Sequence, residues 1–153
     1  IWFITFNIGR IFSSSCDNKK MIDIKVLKIA SDTKFYGLQN KYTHKTSAKN
    51  IKCGDRINLE IIANSDKINT LRYETDACIF CQASASFLAK KIKLFKINSL
   101  KKDINNLNKT IKNKDNFLPK KFVFFKNLIN YKNVSRLDCI MLPFNALLKA
   151  FKQ

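Results

Sequence analysis

The stretch Ile57-Asn58-Leu59-Glu60-Ile61, followed by Asn64-Ser65-Asp66-Lys67 and then Leu71-Arg72-Tyr73-Glu74, decides the fold. Apolar side chains at 57, 59 and 61 alternate with polar ones, the period of a half-buried strand. Asn64 to Lys67 is a turn cluster, and Leu71 and Tyr73 resume the alternation. So short a connection joins antiparallel strands, because a parallel pair needs a crossover of about a dozen residues or more.

Working outward, the period changes after Cys81. Ala83, Phe87, Leu88, Ala89 and Ile92 share one helical face, which predicts a helix from about Gln82 to Phe95. Upstream, Ile22, Val26 and Ile29, with Leu27 and Ala30, predict a helix over about Asp23 to Ser31. Residues 34–49 are polar and turn-rich and read as a loop or an irregular edge strand. Downstream, Leu100, Ile104, Leu107 and Ile111 place an amphipathic helix within the Lys- and Asn-rich stretch 98–116. Pro119 breaks the chain. Phe122 to Ile129 reads as another apolar helix, and Asn130 to Asn133 as a turn. A last helix is expected from about Ser135 to Phe151, with Ser135 as its N-cap and Pro143 kinking it or moving its start. Helix, sheet, then a run of helices is an α+β order: a small antiparallel sheet with helices packed on it.

The chain has 153 residues, enough for one domain with its own core. We divide it into an extension, residues 1–20, and a single domain, residues 21–153. Ile1 to Phe12 is apolar, and Ser13-Ser14-Ser15 ends the run. That run lacks the basic start and small-residue cleavage site of a secretory signal. It reads as translated upstream sequence, with the functional chain beginning near Met21. No apolar run approaches the roughly 18–20 residues that span a bilayer. With 46% hydrophobic residues, Gly 3 and Pro 2, the composition excludes disordered and collagen-like classes.

The formal net charge is +18. A polyanion partner is one reading of that excess. Codon bias is the other: the chain has 25 Lys, 17 Asn, 19 Ile and 13 Phe, all encoded by A/T-rich codons. Arginine forks dominate specific nucleic-acid contacts, and the only arginines are Arg10, Arg56, Arg72 and Arg136. The expectation is therefore no specific nucleic-acid partner. The twelve lysines between Lys90 and Lys126 read as a solvated face or a docking surface for an acidic protein.

Five cysteines, Cys16, Cys53, Cys78, Cys81 and Cys139, are an odd and sparse set for a disulfide framework. They point to a reducing compartment, read as the cytoplasm, with thiols kept for metal or sulfur chemistry. Cys53 opens Cys53-Gly54-Asp55 at the mouth of the hairpin, Cys78 marks a strand-to-helix junction, and Cys139 lies in the last helix. Three thiolates and the Asp55 carboxylate would make four ligands, enough for tetrahedral zinc or a cluster edge. A carboxylate is harder than a thiolate and holds an iron–sulfur centre less tightly, which makes Asp55 the weak corner. Spacing alone leaves open that these thiols are simply buried. Cys78 and Cys81 also form a C-x-x-C, but the parallel βαβ setting of a thioredoxin-like site is missing.

Three segments carry a resemblance. Asn50-Ile51-Lys52-Cys53-Gly54-Asp55-Arg56 resembles the N-P-x-C-G-D motif of the IscU/SufU/NifU N-terminal family. Cys78-Ile79-Phe80-Cys81-Gln82-Ala83-Ser84-Ala85-Ser86 is similar to its C-A-I-S-x-A-S-A-S segment. Arg136-Leu137-Asp138-Cys139-Ile140-Met141-Leu142-Pro143-Phe144-Asn145-Ala146-Leu147 resembles its R-x-x-C-x-L-x-W-x-A-L segment. The order of the three agrees, and they cover the chain from about Ile22 onward. The resemblance implies the SufE/NifU-like (IscU-like) fold and an iron–sulfur cluster assembly scaffold. It implies Cys53, Cys78 and Cys139 as ligand thiols, Asp55 as the labilising ligand and a transient [2Fe-2S] cluster. It further implies a cysteine desulfurase and apo iron–sulfur proteins as partners.

The long separation of Cys78 from Cys139, Asp138 where the IscU branch has His, and the absence of L-P-P-V-K resemble the SufU branch. Some members of that branch bind zinc and relay persulfide sulfur, which implies Zn2+ as the alternative occupant and Cys139 as candidate sulfur acceptor. Arg136 is expected to stand behind the ligands and screen their charge. The chain departs from the family at Ile51 (usually Pro), Ala77 (usually Gly), Phe144 (usually Trp) and Cys81 (usually Ser). Cys81 reads as a spare thiol, a sulfur acceptor or a buried bystander, the last being favoured. His44, the one histidine, reads as a surface or loop residue.

Overall fold

A computed structural model describes residues 23–115 and 117–152. The expectations for residues 1–20, for Cys16 and for a start near Met21 lie outside the described residues.

Three strands form one sheet in the order β1-β2-β3, where β1 is His44–Lys49, β2 is Arg56–Asn64 and β3 is Lys67–Asp76. Both pairings are antiparallel, with Leu59 opposite Thr46 on one side and Tyr73 on the other. The alternation works as expected: Ile57, Leu59, Ile61, Leu71 and Tyr73 are all buried. Ser65 turns the hairpin tip with φ of +52°, and a bulge at Ile62/Ala63 shifts the register beside it. The edge strand β1 is regular. It carries no apolar alternation because its outward positions are exposed, so its sequence gave no period to read.

Glu60 points away from this core yet is only 2% exposed. The segment before β1 folds over it, and its carboxylate accepts from the Gln39 and Asn40 backbone N–H groups at 2.8 and 3.1 Å. Lys45 Nζ lies 3.4 Å away. Desolvation pushes the Glu60 carboxyl up, but these donors outweigh it and hold it below its ordinary value of 4.5. A depressed carboxyl contributes stability above its unfolded pKa and loses it as pH falls through the folded value. We therefore expect urea unfolding midpoints to fall on acidification below about pH 4.5, with a shallower slope in Glu60→Gln.

Among the described residues four α-helices accompany the sheet: α1 (Ile24–Ala30), α2 (Ile79–Lys91), α3 (Ile97–Lys112) and α4 (Leu137–Ala150). Asp23 caps α1 by accepting from Lys25 N–H at 2.9 Å. Helix α3 has a cap borrowed from the hairpin tip, where Asp66 Oδ1 accepts from Asn98 N–H at 2.7 Å. Helix α2 is the centre of the molecule and packs on α1, α4 and β3. Its run Ala83-Ser84-Ala85-Ser86 is wholly buried, because small side chains let neighbouring backbones come close. The two hydroxyls are satisfied by neighbouring backbone: Ser84 donates to Ile140 C=O in α4 at 2.6 Å, and Ser86 to Asp32 C=O just after α1 at 3.1 Å.

Three details differ from the sequence expectations. Helix α2 starts at Ile79, earlier than Gln82, and gives way to a 3-10 turn at Ile92–Leu94. Residues Lys120–Phe125 form a 3-10 helix and not part of an α-helix, because Phe122 and Phe125 fill the core three positions apart. Ser135 does not cap α4. Tyr131–Arg136 is itself a 3-10 helix capped by Asn130, and Arg136 holds the N-cap position of α4. Pro143 is accommodated inside α4. Phe144 follows it, fully buried, with its ring 5.8 Å from Phe122 and 5.1 Å from Phe125. No helix among the described residues is long and apolar enough to cross a membrane.

Candidate metal centre

The loop between β1 and β2 is built by Asn50. Its N–H donates to Asp55 C=O at 2.8 Å, its C=O accepts from Gly54 N–H at 2.8 Å, and its side chain accepts from Lys52 N–H at 3.0 Å. Gly54 takes φ of +79°, which a side chain would strain. The turn leaves Cys53 exposed and sends Asp55 inward, where it is 5% exposed. Asp55 Oδ1 then accepts from the Cys78 backbone N–H at 3.0 Å, which ties the loop to the start of α2. Cys78 is the N-cap residue of α2.

Helix α4 brings the third thiol. Cys139 is buried at 4% exposure, and its sulfur lies 3.5 Å from that of Cys53. Cys53, Asp55 and Cys139 offer donor atoms all within 4.8 Å of one another. Cys78 stands beside this triple, hydrogen-bonded through its sulfur to Cys139. That bond holds the Cys78 thiol below its ordinary value, against its burial, and the Cys81 backbone N–H adds to the lowering. The same bond, with burial, raises the Cys139 thiol.

One atom is left over. Asp55 Oδ2 is buried with no hydrogen-bond partner. An ionised oxygen in that position is costly unless a cation meets it. Tetrahedral bonds of about 2.3 Å place thiolate ligands roughly 3.8 Å apart, so small side-chain rotations would close this set on one ion. The residues present fit a metal.

The remaining expectations resolve as follows. Arg136 stacks over Phe80, its guanidinium carbon 6.0 Å from the ring centre, three residues before Cys139. Cys81 is fully buried one helical turn after Cys78. His44 packs against Phe151, away from the thiols, with ring centres 4.7 Å apart. Lys52 was missed by the sequence reading. Its Nζ lies 2.8 Å from Asp138 Oδ2 and links the Cys53 loop to the first turn of α4. Residues that meet across 86 positions of chain leave no local signal.

The family described as NifU-like N terminal domain matches residues 22–123, which include Cys53, Asp55 and Cys78. The chain is similar to the iron–sulfur cluster assembly scaffold protein IscU of Thermotoga maritima, 28% identical over 138 residues, covering 88% of this chain and 95% of the relative. A NifU-like N-terminal structure from Brucella abortus superposes with TM-score 0.73 at 16% identity, covering 84% of this chain and 90% of that one. A structure from Fervidobacterium islandicum, described as a cluster assembly scaffold protein for the SUF system, gives TM-score 0.71 at 23% identity, covering 82% and 93%. These two carry the fold, while the family match spans well over half the chain. The chain belongs to the NifU-like N-terminal domain family.

Proposed function

We propose that the chain is an iron–sulfur cluster assembly scaffold, which receives sulfur from a cysteine desulfurase, holds a labile cluster and passes it to apo-proteins. The observation that carries this is the buried, unpartnered Asp55 oxygen gathered with the Cys53 and Cys139 thiols, its other oxygen held by the Cys78 N–H at the head of α2. Cys53, Cys78, Cys139 and Asp55 hold the cargo, a [2Fe-2S] cluster. Cys139, 3.5 Å behind the exposed Cys53, is the candidate acceptor of the incoming sulfur. Asp55 completes the set with a hard oxygen, which releases soft iron–sulfur cargo more readily than a fourth thiolate. Arg136, at the head of α4, offsets the negative charge that three thiolates gather.

A second reading is a zinc-dependent sulfurtransferase that relays persulfide. The grouped Cys53, Asp55 and Cys139 donors support it, since with Cys78 they would make four, enough for tetrahedral zinc without a cluster. The test is anaerobic reconstitution with iron and a desulfurase, followed by cluster appearance in an apo-ferredoxin. The scaffold reading expects rapid transfer. It also expects Asp55→Ala to form a cluster but release it at least about tenfold more slowly, a barrier increase of about 1.4 kcal/mol. Transfer at the parent rate removes the labilising role. No transfer from the parent, with zinc retained, favours the relay.

A further inference from the structure

The Cys53 loop is tied down at both ends, but unequally. Its inner end is fixed by the buried Asp55, which accepts from the Cys78 N–H at 3.0 Å. Its outer end, Ile51 to Cys53, is a turn in water, with Ile51 91% exposed. There Lys52 Nζ reaches Asp138 Oδ2, 2.8 Å away in the first turn of α4. Lys52 immediately precedes Cys53, and Asp138 immediately precedes Cys139. The ion pair therefore spans the same gap as the two sulfurs, which lie 3.5 Å apart. Both charged side chains stand mostly in solvent, and a pair so open shifts an equilibrium by no more than about fivefold. Such a tie holds the loop without locking it.

Building on the scaffold reading, we propose that Lys52 and Asp138 are positioning residues: their ion pair latches Cys53 into the donor group, and its opening sets how readily metal enters and leaves. Of the grouped donors, Cys53 is exposed while Asp55 and Cys139 are buried. Asp55 is anchored on the head of α2 and Cys139 sits within α4, so exchange begins with Cys53 moving away from Cys139. The latch opposes that first movement. A role through charge alone is distinguishable from a latch. The Lys52 ammonium repels a metal cation and the Asp138 carboxylate attracts it, so neutralising the two would act in opposite directions. A latch needs both charges, so neutralising either one has the same effect.

Zinc alone is the probe, and the readout is its release to an excess of a chromogenic chelator, which needs no cluster and no partner. Lys52→Gln and Asp138→Asn are each expected to release zinc about threefold faster than the parent chain. Lys52→Gln/Asp138→Asn is expected to be no faster than either single variant, because the same latch is lost only once. Lys52→Arg keeps the charge and is expected to release at the parent rate. Added salt screens exposed charges, so it is expected to speed the parent toward the variants and leave the variants unchanged. All of these chains should fold as the parent does, because both side chains stand mostly in solvent. Unchanged rates, single variants that move in opposite directions, or a double variant whose gain is the product of the two overturn the latch and leave the scaffold reading standing. The expected pattern in a chain that passes no cluster to apo-ferredoxin keeps the latch and overturns the scaffold reading. A parent chain that binds no zinc and no cluster overturns both.

Discussion

Cys139→Ala is expected to reduce the iron–sulfur chromophore formed on reconstitution to background. Cys139 is the middle sulfur of the three: it lies 3.5 Å from Cys53 and is hydrogen-bonded to Cys78. Without it, Cys53 on the loop and Cys78 on α2 lose the thiol that both of them face. Changes that only disturb the support of a ligand already lower metal affinity roughly 10–100-fold, so loss of a ligand itself should exceed about 100-fold. The fold should survive, because a buried cysteine packs as a small apolar side chain and Ala fills most of the space. Visible absorbance and iron content after desalting, beside an unchanged far-UV circular dichroism spectrum, make the measurement. A full chromophore in the variant would remove Cys139 from the ligand set. The same result is expected for Cys53→Ala and Cys78→Ala.

Phe144→Ala should be the most damaging change to the fold. The ring is fully buried and meets Phe122 and Phe125, which tie α4 to the 3-10 helix at Lys120–Phe125. Truncating a buried phenylalanine costs about 3–5 kcal/mol, from lost transfer energy and the cavity left behind. For a chain of this size that lowers the melting temperature by roughly 10 °C. Urea denaturation followed by circular dichroism gives the number, and a loss under about 1 kcal/mol would mean that the aromatic cluster repacks freely. Because Phe144 and Cys139 share α4, the variant should also hold metal poorly wherever it is partly unfolded.

Much of this was legible in the chain. The alternation at Ile57, Leu59 and Ile61 gave the hairpin and its buried face, because a strand with one face in the core must repeat every second residue. Cys53, Asp55, Cys78 and Cys139 could be named because their residue types and motifs are local. What escaped was non-local or deceptive. Strand β1 was legible only as a loop or an irregular edge strand, because an edge requires little apolar pattern. The phenylalanines of 122–125 are hydrophobic enough for a helix of either kind, and only packing chooses the tighter one. Ser135 had the chemistry of a cap, but the preceding 3-10 turn moved the helix start past it. Lys52 and Asp138 became partners only through the fold.

The link between the Cys53 loop and α4 has a consequence for how long the protein lasts. That link rests on a solvent-exposed ion pair, 82% and 62% exposed, and such pairs contribute little by themselves. A cargo that bridges the loop and the helix replaces it with a much stronger clamp. Any ligand bound only by the folded chain adds stability, about 2.7 kcal/mol at a hundredfold excess over its Kd. Proteases that cut transiently opened chains respond to the population of the open form. On the scaffold reading, the empty protein is expected to be degraded first and the loaded one spared, so that turnover itself would sort the pool by occupancy.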